Sequence, residues 1–187
     1  SYYSPEEIKI LVESIDTAKK CGIRDKCMIL IAAECGLRSS DIIWLRFDEI
    51  NWDKKLISKT QHKTGIHVNV PFTEQVQFLL LDYLKNDRPD VRSEYIFINT
   101  VTNSAFTSAK ILTQIVYKNF EKAGIERRCR KRGAHTLRHS LATTMLANNT
   151  PVPVITGVLG HASSRTTQKY LSIDVDGLRK VSLEVPE

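Results

Sequence analysis

Between Lys55 and Phe72 the sequence abandons the three-to-four-residue spacing of apolar side chains that governs most of the chain. Two short extended runs, Leu56-Ile57-Ser58 and His67-Val68-Asn69-Val70, flank Lys63-Thr64-Gly65, and Pro71 closes the second run. β-branched residues on either side of a glycine-bearing turn predict a β-hairpin with a lysine near its tip. A hairpin of this size cannot bury its own apolar face, so it must lie against helices. The expected fold class is mainly α with a small antiparallel β-sheet inserted early, an α+β domain.

The flanking segments supply the helices. Ser4-Pro5-Glu6-Glu7 carries an N-cap, a first-turn proline and a capping-box glutamate, and Ile8, Leu11, Val12 and Ile15 then line one face. A second helix is expected from about Arg24 to Cys35, stopping at Gly36 and delivering Leu37 and Arg38 into a turn. Ser39-Ser40-Asp41 offers cap chemistry for a short helix through Ile42, Ile43, Trp44 and Leu45. Beyond the hairpin, Val76, Phe78, Leu79, Leu80 and Tyr83 mark a helix and Tyr95-Ile96-Phe97-Ile98 a short buried strand. Leu112, Ile115, Val116 and Phe120 mark another helix that ends at Gly124. The last third predicts helices over Leu137 to Asn148, Pro151 to Gly160, Ser164 to Leu171 and Asp174 to Leu183.

At 187 residues the chain suits one compact domain, residues 1–187. It opens on Ser1 rather than Met, which predicts a fragment with an upstream partner domain. The opening residues have neither the basic flank nor the apolar stretch of a secretory signal, and no apolar run reaches bilayer-spanning length. Cys21, Cys27, Cys35 and Cys129 form no CxxC pair, so reduced thiols of a cytoplasmic protein are expected. The formal net charge is +6, and it is concentrated. Between Ser108 and Ser140 stand nine Lys or Arg and only two acids, Glu121 and Glu126, so the rest of the chain is close to neutral. That distribution points to a polyanion partner, with the run Arg127, Arg128, Arg130, Lys131 and Arg132 as its candidate contacts.

Several chemistries lack their equipment: there is no glycine-rich phosphate loop, no G-x-S-x-G elbow and no HExxH. In His135-Thr136-Leu137-Arg138-His139, Thr136 stands where a zincin needs Glu, and Arg138 would set a cation beside the metal. What remains is a set of cationic and imidazole groups, far apart in sequence, suited to binding a phosphodiester. Arg38 sits at a helix exit, and His135 and Arg138 share a face at a helix start. His161 follows Leu159-Gly160, and Tyr170 comes nine residues later. On the hairpin, Lys59 competes with Lys63 for the same role, and Thr64-Gly65 favours Lys63.

The stretches GLRSSDIIWLRFDEI, HKTGIHVNVPF, HTLRHSLATTMLANN and VLGHASSRTTQKYLSI resemble the successive boxes of the tyrosine recombinase (phage integrase) family. The resemblance implies the catalytic-domain fold of that family, with a core-binding domain upstream. It implies that Arg38 and Arg138 clamp the non-bridging oxygens of a scissile DNA phosphate and that Lys63 protonates the departing 5′ oxygen. His135 would help with proton handling, His161 would bind the phosphate, and Tyr170 would be the nucleophile of a 3′-phosphotyrosine intermediate. Asp41 stands where the family often has Glu. The implied function is site-specific recombination by the integrase of a bacterial mobile element or phage, with no ATP, metal or other cofactor. The implied partners are double-stranded DNA, three further copies in a synaptic tetramer, and an accessory DNA-bending factor. The free protein would be a monomer, cytoplasmic and nucleoid-associated, with no membrane partner.

Two other readings compete. A non-catalytic helix-turn-helix DNA-binding protein explains the basic run, but gives no reason for Arg38, Lys63 and Tyr170 to occur together. A type IB topoisomerase shares the chemistry, and the terminal segment Asp174 to Glu187 argues against it.

Overall fold

The computed structural model describes residues 2–126 and 130–160. The expected helices over Ser164 to Leu171 and Asp174 to Leu183 lie outside the described residues. Within them, α1 (Pro5–Glu13), α2 (Gly22–Glu34) and α3 (Ser39–Ile43) precede a sheet of β1 (Ile50–Asn51), β2 (Leu56–Thr60) and β3 (His67–Pro71). Then follow α4 (Glu74–Asp82), a two-stranded ribbon of β4 (Ile98–Asn99) and β5 (Ser104–Ala105), α5 (Lys110–Lys122), α6 (Ala134–Ala147) and α7 (Val152–Leu159). The α+β expectation is met.

Helix α2 is the axis of the domain. Cys27, Met28, Ile29, Leu30, Ile31 and Ala32 are consecutive and all buried, so this helix has no solvent face over that stretch and packs against α1, α3, α4, α5 and α6. Fully burying one such aliphatic side chain contributes roughly 1.5–3 kcal/mol, so a polar replacement in this run is expected to be costly. Gly36 ends the helix with φ +62, and a Cβ there would lie 2.8 Å from both Leu141 and Leu159. The turn that leads to Arg38 therefore needs glycine for its backbone and for the close approach of α6 and α7. At the other end of the domain, Ser4 and Glu7 complete the predicted capping box of α1.

The hairpin is antiparallel, with Ile57 opposite Val70 and Lys59 opposite Val68. Ile57, Lys59, Val68 and Val70 point inward, while Thr60, His67, Asn69 and Pro71 face outward, as a pleat of period two requires. Strand β1 joins β2 along its other edge.

Three local expectations are corrected. Helix α6 begins at Ala134, ahead of Leu137, because Thr136 N–H already bonds the Gly133 carbonyl at 2.9 Å. The strand expected over Tyr95–Ile98 shrinks to a bridge between Tyr95 and Arg46 and a strand beginning at Ile98. The Ile96 and Ile98 N–H groups donate to the Leu45 carbonyl at 2.8 Å and the Tyr83 hydroxyl at 3.1 Å, so partners outside the ribbon complete this buried run. Finally, α3 starts behind Arg38 with no side-chain cap, because Asp41 turns inward and accepts from His62 N–H at 2.8 Å.

Candidate active site

Four sequence-predicted residues line one cleft of about 220 Å³: Arg38, Lys63, His135 and Arg138, together with Ser39 and Ser40. Three separate elements deliver them, namely the start of α3, the β2–β3 turn and the first turns of α6. The earlier start of α6 matters here, since it makes His135 and Arg138 both helical and sets them one turn apart on one face. Among the described residues, no acidic side chain lines the cleft.

Arg138 is 1% exposed and anchored at both ends of its fork. Nη1 donates to the Gly36 carbonyl and Nη2 to the Leu159 carbonyl, each at 2.5 Å. Arg38 is half-buried; its Nη1 donates to Gln61 Oε1 and its Nη2 to the Gly160 carbonyl at 3.3 Å. Both guanidinium groups thus hold the carboxyl end of α7, where unsatisfied carbonyls and the negative end of the helix dipole favour cations.

His135 reaches solvent at the mouth of the cleft, with His139 edge-on at a ring separation of 4.5 Å. Partial burial lowers the His135 pKa first, and the charges of Arg138, Arg38 and Lys63 lower it further. The imidazole is therefore held neutral and can accept a proton at physiological pH. Burial, followed by its neighbour His135, lowers His139 to about 4.

The two hairpin lysines stand in different surroundings. Lys59 is 6% exposed, bound to both Glu49 carboxylate oxygens at 2.9 and 2.7 Å and to the Trp44 carbonyl at 3.3 Å. Lys63 is exposed at the cleft. Expected outcomes follow for the pair. If the cleft cleaves DNA as the family resemblance implies, Lys63→Met is expected to slow single-turnover cleavage by ~100-fold or more, the range of a general acid, and a bridging 5′-sulfur leaving group to restore the rate because a thiolate needs no proton. Lys59→Met leaves cleavage within a few-fold but lowers unfolding free energy by about 3 kcal/mol in a urea titration, since Glu49 loses its buried partner.

The predicted basic run divides. Arg130 forms two bonds to Glu7, at 2.8 and 2.7 Å, and stacks over the Tyr3 ring with Cζ 4.0 Å from its centroid. Arg132 donates to the Ile125 carbonyl at 2.8 Å and lies 3.7 Å from Glu121. Lys131 is exposed. Arg127 and Arg128 lie outside the described residues, as do His161 and Tyr170. Sequence reading missed Gln61 and Asp41's inward turn. The signal for Gln61 was its phase, since it continues the buried series Ile57, Lys59.

The profile of the phage integrase family matches residues 2–176, and the chain belongs to that family. The tyrosine recombinase XerA of Pyrococcus furiosus is 32% identical over 176 residues, covering 94% of this chain and 58% of XerA. The tyrosine recombinase XerD of Corynebacterium glutamicum is 30% identical over 184 residues, covering 95% of this chain and 59% of XerD. A crystal structure of XerA recombinase superposes with a TM-score of 0.80 at 26% identity, over 97% of this chain and 63% of that one. The XerH site-specific recombinase, captured on palindromic difH substrate in a post-cleavage complex, superposes at 0.81 with 26% identity, over 97% of this chain and 52% of that one. The chain thus spans a little over half the length of these relatives. Among the described residues no helix is long and apolar enough to cross a membrane.

Proposed function

We propose that residues 1–187 form the catalytic domain of a site-specific tyrosine recombinase that cuts and rejoins double-stranded DNA through a 3′-phosphotyrosine. The observation that carries this reading is the cleft in which Arg38, Lys63, His135 and Arg138 converge from three elements with no acidic side chain among the described lining residues. A phosphodiester under attack gains negative charge on its equatorial oxygens, and planar guanidinium forks match those oxygens with paired hydrogen bonds. Arg38 and Arg138 take that part. Tyr170 attacks phosphorus, the bond to the 5′ oxygen breaks, and Lys63 gives that oxygen its proton. Neutral His135 accepts the phenol proton, and His161 binds the phosphate. The phosphotyrosine keeps the energy of the broken diester, so attack by another strand's 5′-hydroxyl reverses the step and releases the tyrosine.

The greater length of XerA and XerD supports an upstream core-binding domain, and the likeness to DNA-bound XerH supports duplex DNA as substrate. Exposed Lys131 supports the DNA-backbone contact assigned to the run Arg127, Arg128, Arg130, Lys131 and Arg132. Assembly of four copies on DNA, an accessory bending factor and action at the bacterial nucleoid for a mobile element complete the proposal. The test is a nicked duplex carrying a target site, incubated in excess chelator and run on a denaturing gel. A protein–DNA adduct supports the reading, whereas DNA that is retarded on a native gel but runs free on the denaturing one would indicate a binding protein.

A further inference from the structure

We infer that Gln61 is a positioning residue that locks the Arg38 guanidinium and the Lys63 turn against the carboxyl end of α7, an inference that rests on the phosphoryl-transfer reading of the cleft. Gln61 is 1% exposed. Its Oε1 accepts from Arg38 Nη1 and from Thr64 Oγ1, the latter at 3.0 Å. Its Nε2 donates to the Leu159 carbonyl at 3.0 Å, the same oxygen that accepts from Arg138. Its main chain closes the lysine turn: Gln61 N–H donates to the Ile66 carbonyl at 2.8 Å, and the Gln61 carbonyl accepts from Gly65 N–H at 2.9 Å. One residue thereby ties together both guanidinium anchors and the turn that presents Lys63.

Only a primary amide of this length serves every contact. A carboxylate has no donor for Leu159, and a thioether has neither donor nor a strong acceptor. The amide cannot flip, because its nitrogen would then face the Arg38 donor. Gly160 adds a steric requirement: a Cβ there would lie 2.5 Å from Gln61 Oε1 and 2.7 Å from Nε2, and its φ of +59 is left-handed. The seat of the amide is therefore closed from behind. Gln61 and the Gly160 carbonyl both hold the Arg38 guanidinium on the side where Arg138 is anchored.

The experiment compares wild type with Gln61→Met in single-turnover cleavage at saturating DNA, using a normal scissile phosphate and a neutral methylphosphonate. The variant is expected to lose ~10–100-fold on the phosphate, the scale of a misplaced catalytic group, with unchanged DNA affinity. On the methylphosphonate the loss shrinks to within about threefold, because the charge that Arg38 matches is gone. In protein with nitrogen-15 arginine, the separate Arg38 Nη resonances of wild type, assigned with Arg38→Lys, are expected to merge in Gln61→Met. Gly160→Ala keeps Gln61 but evicts its amide and is expected to reproduce both effects, which covers a failure of Gln61→Met to fold. Equal losses on the two substrates, or unchanged Arg38 resonances, overturn the inference. If wild type forms no adduct on either DNA, the phosphoryl-transfer reading fails, and the Arg38 resonances alone decide whether the lock exists.

Discussion

Tyr170→Phe is expected to abolish the covalent protein–DNA adduct and reduce strand cleavage by at least ~10⁴-fold, the scale on which enzymes lose activity when their nucleophile is removed. The substitution deletes one oxygen and keeps the ring, so DNA affinity in a mobility-shift titration and the unfolding midpoint are expected to match wild type. The size of the effect follows from elementary acidity. A free phenol has a pKa near 10, so only about one in a thousand is ionised at neutral pH, and lowering that value by two units corresponds to about 2.7 kcal/mol of differential stabilisation. The cleft formed by Arg38, Lys63 and Arg138 supplies a field of the required sign. An adduct formed by the Phe variant would mean that another residue is the nucleophile.

Arg138→Lys is expected to cut cleavage by ~10²–10³-fold, the loss seen when a charge-stabilising donor is removed from a transition state. The charge is retained, so the loss reports geometry. An ammonium is a single point of donors and cannot bridge the Gly36 and Leu159 carbonyls while facing a phosphate oxygen, as a planar fork can. Arg138→Ala is expected to add a folding defect of about 2–4 kcal/mol, because two buried carbonyls lose charge-assisted partners. The two variants together, read by single-turnover cleavage and by urea titration, separate catalysis from anchoring. Cleavage near the wild-type rate in Arg138→Lys would show that the fork geometry is irrelevant.

What the sequence made legible were features governed by local rules. The capping box of Ser4 and Glu7, the glycine stops at Gly36 and Gly124, and the alternation of the hairpin each involve residues a few positions apart, where spacing alone dictates geometry. The family boxes added the identities of the cleft residues, and the described ones fall together. What was hidden depends on contacts between distant residues. Glu7 both caps α1 and pairs with Arg130, 123 residues away, and no periodicity announces that. As a result two members of the basic run, Arg130 and Arg132, already bind protein groups, although composition alone made all five equivalent. Lys59 was ambiguous for a related reason: its inward phase was visible, but Glu49 as its buried partner was not. Gln61 has the same history, a polar residue at an inward position whose role emerges only when α3, α7 and the hairpin meet. Asp41 shows how a cap-like residue is diverted, since its carboxylate is fully buried and receives the His62 amide.

The central claim is that a phenolic oxygen of this chain becomes bonded to a DNA 3′-phosphate. Its most direct test is to trap the chain on a nicked target duplex, digest the adduct with protease and nuclease, and sequence the modified peptide by mass spectrometry. The expected product is a nucleotide 3′-phosphate on Tyr170, with a free 5′-hydroxyl on the released strand. Linkage through a 5′-phosphate, or to any other residue, would contradict it.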